Sequence, residues 1–303
     1  MMRLVTLSVV AACSASIASA DSLQDCKQDN DQNITISGCT DVIRVDPKAV
    51  WAYDKRALAH RLKRDFDQAV ADYTKALELD PKSTSSYAGR GDAYLMKEDH
   101  DHAIADYTAA IQLSPMAVNL YISRGTMYSL KGDYDRAIQD YSKSIENNPN
   151  NLITYILRAD LYDKTARYAL AISDYSGVVA IKAEYSPVYK SRGDDYERIG
   201  DHVHAVADYE TLLRLTSSPT DTLSYRNRAW ALLKLGQPEQ ALLSAQKALE
   251  FEPNDAFALD IRGLIFENLG RRSEAINDFQ RALTINPRMK ESADALSRLK
   301  LRP

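Results

Sequence analysis

A self-similarity of 34 residues constrains this chain more than any other feature. The segment Ala69 to Pro81 returns 34 residues on as Ala103 to Pro115, and again as Ala137 to Pro149. A unit that recurs at such a spacing is one supersecondary element, stacked so that each copy covers its neighbour's apolar face. Seven units begin near Val50, Thr84, Val118, Leu152, Ser186, Thr222 and Ala256. The eighth residue of each is small: Ala57, Gly91, Gly125, Ala159, Gly193, Ala229 and Gly263. The twentieth is alanine in all seven, from Ala69 to Ala275, and the twenty-fourth is Tyr or Phe except at Ala245. The seventh is arginine throughout (Arg56, Arg90, Arg124, Arg158, Arg192, Arg228, Arg262), and the twenty-third is aspartate except at Ser244.

Over residues 50–287 this pattern resembles the tetratricopeptide repeat family. The resemblance implies an all-α fold, a right-handed superhelical solenoid of antiparallel helix pairs, A and B. Small residues at positions 8 and 20 then mark where the two helices cross, with the aromatic at position 24 filling the space between. Pro81, Pro115, Pro149, Pro253 and Pro287 end B helices. Gly132, Gly200, Gly236 and Gly270 turn A into B as helix C-caps. Recurring Arg and Asp on packed helices predict a ladder of ion pairs that sets register, with Arg228 the exception. Gly177 inside a B helix, and a step of 36 residues near Ser217-Ser218-Pro219, weaken the middle of the array.

Residues 1–20 have Arg3, a short apolar run and Ala18-Ser19-Ala20, the pattern of a secretory signal peptide that leaves Asp21 first. The competing reading is a lipobox ending at Cys13, which would carry a lipid anchor. Residues 21–49 form a degenerate half repeat. In its register Cys26 and Cys39 take positions 11 and 24, held by tyrosine pairs in the next repeats, so they face one another and predict a disulfide in an oxidising compartment. Residues 288–303 are expected to be a C-terminal capping helix. Together these features resemble periplasmic repeat proteins of alphaproteobacteria.

The resemblance also implies a function: a protein-binding scaffold whose A helices line a groove. The groove positions hold Trp51, Asp160, Asp163, Lys190, Asp194, Glu197, Arg226, Trp230, Leu233, Phe257 and Leu264. Trp230, Leu233, Phe257 and Leu264 predict an apolar anchor site, and the four carboxylates predict a ligand with basic groups. The lysine and asparagine clamp that holds carboxylate-terminal peptides in one branch of the family is missing, since Asp92, Asp160 and Asp194 stand where it would need other residues. No nucleophile–base set or phosphate loop is present, so no enzyme and no cofactor are expected. His100, His102, His202 and His204 follow from repeat ancestry and are not read as metal ligands. Arg90-Gly91-Asp92 and Arg192-Gly193-Asp194 lie inside helices, where an adhesion tripeptide has no exposed loop. Asp195 occupies a position that is apolar in most other repeats, which predicts that Arg192 or Arg198 holds it. A net charge of −4 argues against nucleic acid, and no stretch is long and apolar enough for a membrane span. The expected partner is a protein or peptide in the periplasm of a Gram-negative bacterium; the runner-up is an outer-membrane lipoprotein adaptor for envelope assembly. Mass spectrometry of the mature N-terminus separates the two readings: Asp21 with a free amine is the expected result, and a lipidated Cys13 is the other.

Overall fold

The computed structural model describes residues 21–301; the signal peptide and the Cys13 alternative lie outside them. Every regular element among the described residues is a helix. They fall into two compact units, divided between Thr154 and Tyr155. The first unit opens with a hairpin of α1 (residues 21–27) and α2 (Gln32–Val45). Three helix pairs follow: α3 (Val50–Leu62) with α4 (Phe66–Leu79), α5 (Thr84–Met96) with α6 (His100–Leu113), and α7 (Val118–Leu130) with α8 (Tyr134–Asn147). The division falls near the start of α9 (Leu152–Lys164), which precedes α10 (Tyr168–Ile181). The second unit continues with α11 (Ser186–Arg198) and α12 (His202–Leu215), α13 (Thr222–Lys234) and α14 (Pro238–Phe251), α15 (Ala256–Asn268) and α16 (Arg272–Ile285), and ends with α17 (Lys290–Leu301).

Local chemistry sets these boundaries. Asp99, Asp133 and Asp201 cap the B helices α6, α8 and α12, each accepting a backbone N–H three residues on. Ser83, Asp221 and Asp255 do the same for the A helices α5, α13 and α15. The turn from A to B needs one residue in the left-handed region. Gly132, Gly200, Gly236 and Gly270 supply it freely, whereas Arg64, Glu98 and Ala166 adopt it with a side chain. Both His102 and His204 serve these caps. Their Nδ1 atoms lie 2.8 Å from Asp99 and 2.7 Å from Asp201, and their rings stack on Tyr94 and Tyr196.

The small and large positions meet as their sizes require. The alanine at position 20 is fully buried in all seven repeats. A Cβ added at Gly193 would lie 2.8 Å from the Tyr209 ring, and one at Gly263 would lie 2.7 Å from Phe279. Close-packed interiors have no room for such an addition. At the ends, α17 covers the last repeat with Ala295 and Leu299 against Phe266 and Phe279. Cys26 and Cys39 are fully buried and bonded, with Cα atoms 4.5 Å apart, beside Ala49 and Ala52.

The arginine ladder is present. Arg124 donates from Nε and Nη2 to both oxygens of Asp140, at 2.8 and 2.7 Å. Arg56, Arg90, Arg158, Arg192 and Arg262 repeat the fork on Asp72, Asp106, Asp174, Asp208 and Asp278. Arg90 and Arg192, the arginines of the two adhesion-like tripeptides, are thus tied into the packing. A second bond was not foreseen. Arg56, Arg90, Arg124 and Arg192 each donate from Nη1 to a hydroxyl on the preceding B helix: Thr40, Thr74, Thr108 and Ser176, all at 3.0 Å. One guanidinium therefore joins three helices. Arg228, lacking its acid, turns to the carbonyls of Thr216 and Leu213 at 3.2 and 3.5 Å.

Removing one partner of a buried ion pair leaves the other charge stranded, at a cost of about 3–5 kcal/mol. Asp140→Ala should therefore lower stability by about that amount in chemical denaturation. Arg228→Ala, which removes only hydrogen bonds to carbonyls, should cost about 1–2 kcal/mol. Equal losses would remove the ladder's special standing.

Candidate functional site

Seven of the groove residues come together in the second unit. Lys190, Asp194, Glu197, Arg226, Trp230, Phe257 and Leu264 line a cavity of about 760 Å³, walled also by α17's first turn and the loop before it. Helix α11 supplies the first three, α13 Arg226 and Trp230, and α15 the last two. They converge because groove positions recur on successive A helices, which lie side by side.

Asp194 organises one wall. Its Oδ1 accepts from Tyr209 Oη at 2.7 Å and from Trp230 Nε1 at 3.0 Å, while Oδ2 accepts from Lys190 Nζ at 2.9 Å. Burial, then the Asp194 charge, pushes the Tyr209 phenol far above its ordinary pKa, so it remains a donor. Lys190 Nζ lies 4.2 Å from the Trp230 ring centroid and Lys234 Nζ 5.0 Å. The indole is thus held in place at its nitrogen and accompanied by two cations. It is half-buried, packing on the core of Ala229, Leu232 and Ala241 as well as lining the cavity. The open apolar surface belongs to Phe257, which is 53% exposed, with the Arg226 guanidinium 5.1 Å over its ring. Asp255 fixes Arg226 from the N-terminus of α15, at 3.0 Å.

Four groove residues stand elsewhere. Leu233 packs against the core of α13, α14 and α15 and does not line the cavity. Asp160 and Asp163 also lie outside it. Trp51 is in the first unit, in a cavity of its own. Each carboxylate of the acidic strip has a hydrogen-bonding or ionic partner within the protein, though only Asp163 and Asp194 meet a lysine or arginine. Asp160 accepts from Tyr175 Oη at 3.0 Å, Asp163 pairs with Arg198, Asp194 has its three donors, and Glu197 lies 3.1 Å from His202. What remains without a hydrogen-bonding or ionic partner in the cavity is different. Among the described residues Lys234 and Arg288 pair with no carboxylate, and Glu291 pairs with no cation. Asn227, only 4% exposed, makes no side-chain hydrogen bond among the described residues. Its amide opens on the cavity, where it can offer a donor and an acceptor to whatever fills that space. The sequence reading passed over it because its repeat position was not counted among the groove positions. Lys234 was legible as the residue one turn after Trp230; Arg288 sits in a loop and had no periodic signal.

Sequence profiles described as tetratricopeptide repeat match residues 55–117, 118–151, 223–255 and 256–289, together more than half of the chain. Among curated proteins, unc-45 homolog B of Mus musculus is 37% identical over 75 residues, 25% of this chain and 8% of that protein. The FK506-binding protein-like protein of Homo sapiens is 33% identical over 81 residues, 27% of this chain and 23% of that one. The chain thus matches only a minor part of these relatives. Among solved structures, a tetratricopeptide repeat protein of Parabacteroides merdae aligns with a TM-score of 0.65 at 17% identity, over 83% of this chain and 98% of that one. YrrB, described as a repeat protein with an unusual peptide-binding site, aligns at 0.54 and 18% identity, over 65% and 97%. Both likenesses concern the fold.

Asp195, next to the Asp194 hub, is 1% exposed. Arg198 Nη1 donates to its Oδ1 at 2.9 Å and also pairs with Asp163, so one cation serves two carboxylates. Its Oδ2 is buried without a hydrogen-bond partner. Burial foremost, and then the Asp163 charge, pushes the Asp195 carboxyl up to about 7. The folded chain therefore binds this proton more tightly than the unfolded chain does. The resulting stability is complete below the unfolded pKa and is lost as pH rises toward 7. Raising the pH from about 5 to about 8 should thus destabilise the wild type by roughly 2–3 kcal/mol relative to Asp195→Asn, which cannot ionise. Urea unfolding of both proteins at the two pH values measures this; parallel behaviour would show that Asp195 is ionised throughout.

Proposed function

Because the chain belongs to the tetratricopeptide repeat family, we propose that it is a non-catalytic scaffold that seats a segment of a partner protein in the Trp230 cavity. The observation that carries this reading is the pairing of an exposed Phe257 ring with the unpartnered Asn227 amide in one concave site. The ring offers area to an apolar side chain and the amide a donor and an acceptor to a main chain. The wall carries charge of both signs: among the described residues Lys234 and Arg288 lack a carboxylate, and Asp260 and Glu291 lack a cation. The site thus offers polar anchoring without selecting the sign of the partner's charge. YrrB, similar in fold, is described by its peptide-binding site, in line with this use of the repeats.

The partner meets the protein outside the cytoplasm, in the periplasm of a Gram-negative bacterium. Two features support that location: the leader-like residues 1–20, and the buried Cys26–Cys39 pair, a bond that persists in oxidising compartments. The decisive test isolates a partner from periplasmic extract on immobilised protein and measures its affinity calorimetrically. Phe257→Ala should weaken binding about thirtyfold, the effect of losing an aromatic hot spot, with no change in melting temperature. Trp230→Ala should lower both affinity and melting temperature, because the indole also packs on the core. Full affinity in the Phe257→Ala protein would place the binding surface elsewhere.

A further inference from the structure

Asp195 adjoins the Trp230 cavity without lining it. Its side chain is buried, while its α11 neighbours Asp194 and Arg198 line the cavity itself. Arg198 bridges two A helices, because its Nη1 donates to Asp195 on α11 and also pairs with Asp163 on α9. We propose that this Asp163–Arg198–Asp195 set is a proton-operated latch on the cavity wall. With Asp195 neutral, Arg198 bridges α9 and α11. When Asp195 ionises, the guanidinium commits to it, releases Asp163 and loosens the wall.

Charge balance gives the latch its two positions. One guanidinium faces two carboxyl groups, so the set is neutral only while one of the acids holds a proton. Asp195 is the one that holds it. Its Oδ2 is buried without a hydrogen-bond partner, a condition that suits a carboxyl group and penalises a carboxylate. The Asp163 side chain is 36% exposed, so water can solvate its charge. Burial, and then the Asp163 charge, places the exchange of the Asp195 proton at a pH of about 7. Once that proton leaves, the deeper carboxylate has the larger solvation loss to recover, and it draws the shared guanidinium from the exposed one.

The neighbouring groups are engaged elsewhere. On α10, Tyr175 Oη donates to Asp160, and the Tyr168 ring centroid lies 5.2 Å from the Arg198 guanidinium. On α11, Arg192 pairs with Asp208 of α12, and Lys190 with Asp194. On α12, Tyr209 donates to Asp194, and His202 lies 3.1 Å from Glu197. On α13, Arg226 pairs with Asp255, and Lys234 Nζ lies 5.0 Å from the Trp230 ring centroid. Among the described residues Arg198 is therefore the one cation paired with Asp195. The latch reaches Trp230 through Asp194, which precedes Asp195 on α11 and accepts the indole N–H. If the cavity seats a partner segment, as proposed above, the bridged form is the binding form and affinity falls as pH rises through about 7.

The test needs no partner, so its outcome is independent of that reading. It follows acrylamide quenching of Trp230 in the Trp51→Phe protein, where that indole is the sole tryptophan, from about pH 5 to about pH 9. Quenching should rise with a one-proton midpoint at about 7 while the helical circular dichroism stays constant. Asp195→Asn, which has no proton to lose in this range, should show no transition. Asp163→Asn, which removes the competing charge, should lower the midpoint by about 1 pH unit. His202→Gln, which removes the imidazole beside Glu197, should leave the midpoint in place. A flat profile in the parent protein, a transition that persists in Asp195→Asn or vanishes in His202→Gln, or an unmoved midpoint in Asp163→Asn would overturn the proposal. Loss of circular dichroism in step with the quenching would overturn it too, since the change would then be unfolding of the whole array.

Discussion

One guanidinium shared among three helices is the interaction on which the packing rests. An aspartate as buried as Asp140 or Asp278 would be prohibitive alone. The planar fork of arginine resolves this, because two nitrogens face the carboxylate in parallel and a third is left for a neighbour. In Arg56, Arg90, Arg124 and Arg192 that third nitrogen reaches back to a threonine or serine of the preceding helix. The bond within a repeat and the bond between repeats are therefore made by one group. A slip of either helix by a residue would leave charge buried and unpaired, which makes register a consequence of electrostatics as much as of side-chain size. Tyrosines three residues earlier, such as Tyr53 and Tyr189, lie 5.7 and 5.5 Å from the same guanidinium groups and account for part of the chain's 18 tyrosines.

The ladder lapses at Arg228, and the cavity lies beside that lapse. Helix α13 carries the arginine without an acid, and the same helix supplies Arg226, Asn227, Trp230 and Lys234 to the cavity. Where the repeats obey their pattern, the arginine at position 7 and the aspartate at position 23 consume one another. On α13 Asn227 and Lys234 take no hydrogen-bonding or ionic partner among the described residues, and those are groups a ligand can use. The same accounting removes the groove carboxylates from consideration as free charges: Asp163 and Asp194 act as braces that hold Arg198, Lys190 and the Trp230 indole.

The sequence by itself determined the elements and their pairing. Period, crossing positions and turns are local properties: an alanine at position 20 or a Cys pair at positions 11 and 24 carries the same meaning in every copy of a 34-residue unit. Asp278 opposite Arg262, and Cys26 against Cys39, were legible for that reason. Only the tertiary structure decided which polar group each side chain would take. Asp195 had Arg192 and Arg198 within reach in sequence; Arg192 went to Asp208, leaving Arg198 to be divided between two carboxylates. Leu233, read as groove, packs half-buried against the core outside the cavity, while Asn227 faces the cavity without a partner among the described residues. Periodicity fixes direction only to within a helical face. The choice between a core and a cavity, or between two arginines, is made by separations of a few ångströms between packed helices, and those are set by side chains far apart in the chain.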